Sequence, residues 1–265
     1  MDNRPIGVFD SGIGGLTVVD ALAKSFPSES ILYVGDTARV PYGNKSKEKI
    51  QQYACEITEW LIEQDCKLLV VACNTVSSQA LEKLHTKYNL PIIGVIRPGV
   101  RAAIKATINH RVGVLGTYGT IRSDAYGNAL RDQNKNISVV SRACPLFVPL
   151  AEEGWVNGDI PESVANVYLD PIKESMIDTV ILGCTHYPLL KSTIKKVLGE
   201  SVTLVDSGEA TAKAVGFILN DRQLFADTVS RTIKSFVTDS PELFEALAGR
   251  FVESPISSIV HIDLI

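Results

Sequence analysis

Two cysteines stand in matched surroundings, and the chemistry they offer is that of a pair of acids and bases. Leu69-Val70-Val71-Ala72 runs into Cys73-Asn74-Thr75, and Val180-Ile181-Leu182-Gly183 runs into Cys184-Thr185-His186. Each approach is a short apolar run, rich in β-branched residues, that gives way to small polar ones. Such a run reads as a strand buried on both faces of a parallel sheet. Both thiols are therefore expected where a strand ends and a loop begins, the edge at which open α/β sheets bind ligands. Two thiols facing one ligand from opposite sides can take a proton from one face and return a proton to the other. An ordinary thiol of pKa about 8.5 is only about 3% thiolate at pH 7, so a working pair needs help from its surroundings. A helix N-terminus lowers a cysteine pKa, and each cysteine precedes an expected helix. Two ordinary buried cysteines are the plainer alternative, since free cysteine is among the most buried residue types.

Other residues could join such a site. His186, two residues after Cys184, suits a proton partner for the thiol or for a ligand, or a simple loop histidine. Two donors with no third nearby make a poor metal site, and no Cys-x-x-Cys occurs, so no metal is expected. The first apolar run opens into Asp10-Ser11-Gly12-Ile13-Gly14-Gly15-Leu16-Thr17. Its glycines permit close backbone approach, and the helix that follows is expected to aim its first amides at an anion. The third glycine falls at 15 rather than 17, so this is not the dinucleotide fingerprint, and no Gly-Lys-Ser/Thr phosphate loop occurs. Asp10 at the strand tip is the residue a structural turn needs least. Ala151-Glu152-Glu153-Gly154 supplies a carboxylate that could orient a histidine, and the matching earlier loop holds Asp36 and then Val40-Pro41-Tyr42-Gly43. From spacing alone, a carboxylate such as Glu152 or Asp36 is more often a solvated charge. Cys55 and Cys66 read as structural, whereas Cys144, before Pro145 in a loop, is open to reaction.

The elements that must position these groups alternate along the chain. Strand-like runs fall at 6–9, 31–34, 67–72, 91–95, 112–115, 137–141, 179–183 and 202–205. Helical stretches lie between them, among them 16–25, 46–63, 75–87 and 188–198, with Pro188 suited to a first turn. This alternation predicts an α/β fold built on mostly parallel sheets flanked by helices. Positions 73 and 184 are 111 apart, as are Val95 and Asp206, and Ile6-Gly7-Val8-Phe9 echoes Val112-Gly113-Val114-Leu115 at an offset of 106. The chain thus reads as two pseudo-symmetric lobes, 1–97 and 98–207, with the active site in the cleft between them. Residues 208–265 have no counterpart in the second lobe and are expected to return to the first. The breaks are expected at Ile96-Arg97-Pro98-Gly99 and near Asp206-Ser207-Gly208.

Bulk properties narrow the partners. The 265 residues are 45% hydrophobic and 21% charged, with a net charge of −4 and no basic run, so nothing points to nucleic acid. No stretch approaches the roughly 18 apolar residues of a membrane span, and the N-terminus lacks the apolar core of a signal peptide. Five cysteines form no dense framework and are expected as thiols in a reducing cytoplasm.

Four ordered motifs, Phe9-Asp10-Ser11-Gly12-Ile13-Gly14-Gly15, Val40-Pro41-Tyr42-Gly43, Ala72-Cys73-Asn74-Thr75 and Gly183-Cys184-Thr185-His186-Tyr187-Pro188, resemble those of the glutamate racemases. The resemblance spans nearly the whole chain. It implies a cofactor-independent enzyme that interconverts L- and D-glutamate and supplies the D-enantiomer for peptidoglycan, often as a homodimer. It also implies that Cys73 and Cys184 are the two bases, that Asp10 and His186 assist them, and that Glu152 supports the second side. Asp10, Ser11, Tyr42, Gly43, Asn74, Thr75, Thr185 and His186 would hold the amino acid, with Thr117 a further contact and Asp36 a weaker one. A cysteine hydrolase using Cys184 and His186 is the rival chemistry but leaves Cys73 without a role. A non-catalytic amino-acid-binding protein is the other alternative.

Overall fold

Alternating strands and helices fold into two parallel sheets, seen in a computed structural model that describes residues 1–227 and 231–264. Residues 228–230 and 265, within the stretch expected to return to the first lobe, lie outside the described residues. The first sheet contains β1 (Ile6–Asp10), β2 (Ile31–Gly35), β3 (Leu68–Val71) and β4 (Ile92–Gly94). The second contains β5 (Arg111–Gly116), β6 (Ser138–Ala143), β7 (Thr179–Gly183) and β8 (Thr203–Asp206). The chain then returns to the first sheet with β9 (Ile233–Val237) and β10 (Ser258–His261). The orders are β10-β9-β2-β1-β3-β4 and β6-β5-β7-β8, with every pairing parallel. The first four strands of each lobe therefore share one order, as the sequence echoes predict.

The middle of each central strand is apolar because helices cover both of its sides. Ile6, Val8, Leu68 and Val70 enter one core, while Phe9, Leu69 and Val71 enter the core on the opposite face. In the second sheet Leu115, Val180 and Leu182 face one core, and Val112, Val114 and Ile181 the other. This twofold alternation fixes which strand end presents which side chain, since a slip of one residue would turn every side chain over.

Three details go beyond the sequence reading. The expected break at Ile96-Arg97-Pro98-Gly99 falls in the first turn of the helix Ile96–Ala106, whose Ile96, Val100 and Ala103 pack in the second lobe. Proline is tolerated there because first-turn amides lack helical partners. The stretch 75–87 is two helices, Asn74–Gln79 and Leu81–Lys87, meeting at Ala80, where the Gln79 carbonyl accepts a bond from Gln51 Nε2 at 3.0 Å. The returning tail contributes strands β9 and β10, which no apolar run announced.

At the far end of the first sheet, Lys67 Nζ lies 2.6 Å from Glu29 Oε2, with both side chains shut off from solvent. The same ammonium donates to the carbonyls of Asp2 at 2.6 Å and Leu224 at 2.7 Å. Glu29 Oε1 accepts from the Ala226 amide at 2.8 Å. The pair thus ties the N-terminus and the segment leading to β9 to the sheet. Lys67→Ala should cost about 3–5 kcal/mol, because it strands a buried carboxylate. Urea denaturation checks this, and a loss below about 1 kcal/mol would contradict it.

Candidate active site

The two sheets present their C-terminal edges to one another. In the order β2-β1-β3, the crevice beside β1 and β3 is a topological switch point, where open α/β sheets bind ligands. Asp10 ends β1, and Cys73 follows β3 by two residues. In the second lobe Thr117 follows β5 directly, and Cys184 follows β7. The four positions surround a cavity of about 270 Å³. Asp10, Ser11, Tyr42, Gly43, Cys73, Asn74, Thr75, Thr117, Glu152, Cys184, Thr185 and His186 all line it. Asp36 does not; it is buried behind the wall and accepts from the Tyr42 hydroxyl, from Arg39 Nε at 2.7 Å and from the Thr238 hydroxyl at 2.9 Å. The Tyr42 phenol is consequently committed to Asp36, and burial together with that carboxylate raises its pKa.

The glycine-rich loop works differently from the expectation. Leu16, Thr17 and Val18 spend their amides on the carbonyls of Ile13, Gly14 and Gly15, so the helix Leu16–Ser25 does not offer them to an anion. The Gly15 amide is taken by Asp10 Oδ2 at 2.8 Å. A Cβ at Gly15 would stand 2.5 Å from the Asp10 Cβ, so only glycine lets this loop fold back on the carboxylate. Asp10 is 1% exposed, and its Oδ1 has no hydrogen-bond partner among the described residues. Burial raises the Asp10 pKa, partly offset by the positive charge of His186 and the amides of Gly15 and Ser11.

Cys73 caps the helix Asn74–Gln79, as expected, yet its pKa is not lowered. Burial and the Asp10 carboxylate push the thiol up to about 12, outweighing the backbone and Ser11 bonds. Its Sγ lies 3.6 Å from Ser11 Oγ. Cys73 is thus protonated at neutral pH.

Across the cavity, Cys184 Sγ lies 3.8 Å from His186 Nδ1, and His186 Nε2 lies 3.0 Å from Glu152 Oε1. Burial pulls the imidazole pKa down, but the bonds to Cys184 and Glu152 prevail and push it up to about 10. His186 is therefore an imidazolium at neutral pH, beside one thiol and held by one carboxylate. The Thr185 hydroxyl approaches Asp10 Oδ2 at 3.5 Å, and Thr17 Oγ1 donates to the Thr185 carbonyl at 2.9 Å. The two halves of the site are thereby joined across the lobes.

Hydroxyls and an amide fill the remaining wall. Thr75 and Thr117 meet at 2.9 Å between Oγ1 atoms, and Thr120 approaches both at 3.3 Å. The Tyr126 hydroxyl donates to Asn74 Oδ1 at 2.7 Å, and the buried Asn74 Nδ2 has no partner among the described residues. Val148, Thr120 and Tyr126 escaped the sequence reading. Val148 lies on the short helix Phe147–Glu152, with no strand end to mark it. Cys144, whose loop setting before Pro145 left reactivity open, is fully buried, and burial raises its thiol pKa. Cys55 and Cys66 are also buried, away from the cavity.

The chain is similar over its length to known racemases. The model of the Asp/Glu/Hydantoin racemase family matches residues 14–215. A glutamate racemase from Geobacter metallireducens is 48% identical over 262 residues, 98% of this chain and 97% of that protein. The crystal structure of a glutamate racemase isoform from Bacillus anthracis superposes with a TM-score of 0.94 at 42% identity, covering 100% of this chain and 99% of the other. The glutamate racemase from Francisella tularensis, solved in complex with D-glutamate, gives 0.93 at 40% identity, with 100% and 99% covered.

Proposed function

This chain belongs to the Asp/Glu/Hydantoin racemase family, and we propose that its reaction is the interconversion of L- and D-glutamate by proton transfer between two cysteines. The observation that carries the reading is that Cys73 and Cys184, at equivalent strand ends of two like-ordered sheets, line one cavity. A bound amino acid between them presents one face of its α-carbon to each sulfur. In one direction Cys184 takes the α-proton as thiolate while the Cys73 thiol delivers a proton to the opposite face; the reverse exchanges the roles. The His186 imidazolium stabilises negative charge on Cys184, and Asp10, a stronger proton acceptor for being buried, takes up the Cys73 proton when that side must act as base. The free Oδ1 of Asp10 suits the substrate ammonium. The unpartnered Asn74 amide and the hydroxyls of Ser11, Thr75, Thr117 and Thr185 suit its carboxylates and the charge that builds up at the α-carbon. The amide and ring of Tyr42 and the backbone of Gly43 complete the wall.

Incubation with L- or D-glutamate in D₂O tests this. Optical rotation should decay to zero, with deuterium incorporated at the α-carbon. Retained rotation without exchange would overturn the reading, and hydrolysis of an acyl substrate without exchange would favour the cysteine hydrolase. No group of three metal-ligating side chains occurs among the described residues, so activity should be unchanged after dialysis against a chelator. Loss restored by zinc would contradict that. D-glutamate made here would feed peptidoglycan synthesis in the cytoplasm, with the chain acting as a homodimer. Among the described residues no helix is long and apolar enough to cross a membrane.

A further inference from the structure

His186 belongs to the second lobe, yet surfaces that hold its ring come from the first. One is Gly14, where a Cβ would stand 2.4 Å from both Cε1 and Nδ1 of the imidazole. The other is Phe251, whose ring lies 5.4 Å from the imidazole, centroid to centroid, at 83°. Phe251 follows the helix Pro241–Ala248 of the returning tail and is rooted in the first-lobe core with Phe244 and Ala248. Its neighbour Arg250 makes a second crossing: Nη1 donates to the main-chain carbonyl of Glu152. Glu152 ends the helix Phe147–Glu152, so this carbonyl lacks a helical partner and favours a cation beside it. The guanidinium also lies against Gly154, where a Cβ would come within 3.5 Å of Cζ.

These contacts bear on the part of the site that tolerates least movement. His186 meets Cys184 through Nδ1 and Glu152 through Nε2, so rotating or sliding the ring weakens both contacts together. The Glu152 side chain is 40% exposed and makes no other ion pair among the described residues, so its place depends on its backbone. Arg250 fixes that backbone, and Phe251 fixes the ring.

We propose that Arg250 and Phe251 are positioning residues that reach from the first lobe to seat Glu152 and His186 against Cys184, so that one side of the proton transfer depends on contacts made across the lobe boundary. The proposal rests on the reading of Cys184 and His186 as one of the two proton-transferring sides.

The test uses the full chain with Arg250→Ala, Arg250→Lys, Phe251→Ala and Phe251→Leu. Glutamate turnover is followed in both directions with protonated and α-deuterated substrate. His186 is titrated by NMR on histidine-labelled protein, its signal identified by its absence in His186→Asn. Arg250→Ala should lower kcat about tenfold, in line with the sensitivity of proton transfer to sub-ångström misplacement, with KM within about twofold. The His186 midpoint should fall from about 10 toward its ordinary value. The isotope effect should grow in the direction that Cys184 begins and not in the other. Arg250→Lys and Phe251→Leu should recover most of each loss; a merely structural role would lower stability without moving the midpoint or the directional isotope effect. Folded Arg250→Ala with an unchanged midpoint and kcat would overturn the proposal. Arg250 is exposed, so this variant decides the matter even where Phe251→Ala does not fold. A wild-type protein that does not racemise glutamate, with a midpoint that still falls in Arg250→Ala, would sink the racemase reading while leaving the positioning role standing.

Discussion

Cys73→Ser and Cys184→Ser should each lower racemisation by at least about 10³-fold, since each removes the acid or base from one face and a hydroxyl is a far poorer base at neutral pH. A substrate analogue with a leaving group on the β-carbon changes the requirement. Elimination needs a base on one face and no proton from the other. Each serine variant should therefore still eliminate from one enantiomer and fail with the other, and the preferred enantiomer should differ between the two variants. The remaining sulfur identifies which face each lobe serves. Cys55, Cys66 and Cys144 are buried away from the cavity, and their serine variants should keep both reactions, whatever their cost in stability. Chiral chromatography and the appearance of the keto acid measure the two reactions. If both serine variants eliminated from the same enantiomer, the cysteines would not flank the α-carbon, and the two-base reading would be wrong.

The strand ends that carry this site are legible in the sequence because a strand buried on both faces is apolar along most of its length. Val180-Ile181-Leu182-Gly183 can hardly be anything else, and the polar residue after such a run marks the edge where ligands gather. The duplication is legible for the same reason. The added outer strands carry no such mark. Lys234 and Ser235 interrupt β9, and β10 is half exposed, so neither stands out until β9 pairs with β2 and β10 with β9. The break at Ala80 is also tertiary, since alanine favours helix and Gln51 reaches in from elsewhere. Arg250 and Phe251 lie 98 and 65 residues from the partners they touch, and local periodicity holds no trace of that meeting. The expected lowering of the Cys73 pKa failed for another reason. A helix N-terminus was visible in the pattern, but the depth of burial and the adjacency of Asp10, which outweigh it, appear only in three dimensions.

Asp10→Asn and His186→Asn should each reduce kcat by about 10²-fold, because both move charge and protons beside the thiols; KM should stay within about threefold in His186→Asn and rise more in Asp10→Asn, which also loses its charge toward the substrate ammonium. The two enantiomers are equal in energy, so kcat/KM must fall equally in both directions. The difference between the variants should appear in isotope effects, with Asp10→Asn slowing the step on the Cys73 side and His186→Asn the step on the Cys184 side. Their stabilities should diverge as well. Burial raises the Asp10 pKa, so its charged form is disfavoured in the folded state, and stability is lost as pH rises through the acid range. Asparagine removes that charge and keeps an acceptor for the Gly15 amide. Asp10→Asn should therefore be at least as stable as wild type at pH 7 despite its lost activity. His186 is the opposite case. Its pKa is raised to about 10 from an ordinary value near 6.5, so the stability it contributes is fully present below about pH 6.5 and is lost as pH rises through about 10. Wild-type stability should fall over that window more steeply than that of His186→Asn, and kcat should decline with it. Thermal melts at pH 6, 8 and 10 with parallel rate measurements check both signs. Wild-type turnover in either variant, or an Asp10→Asn protein clearly less stable than wild type at pH 7, would remove that residue from the role given to it here.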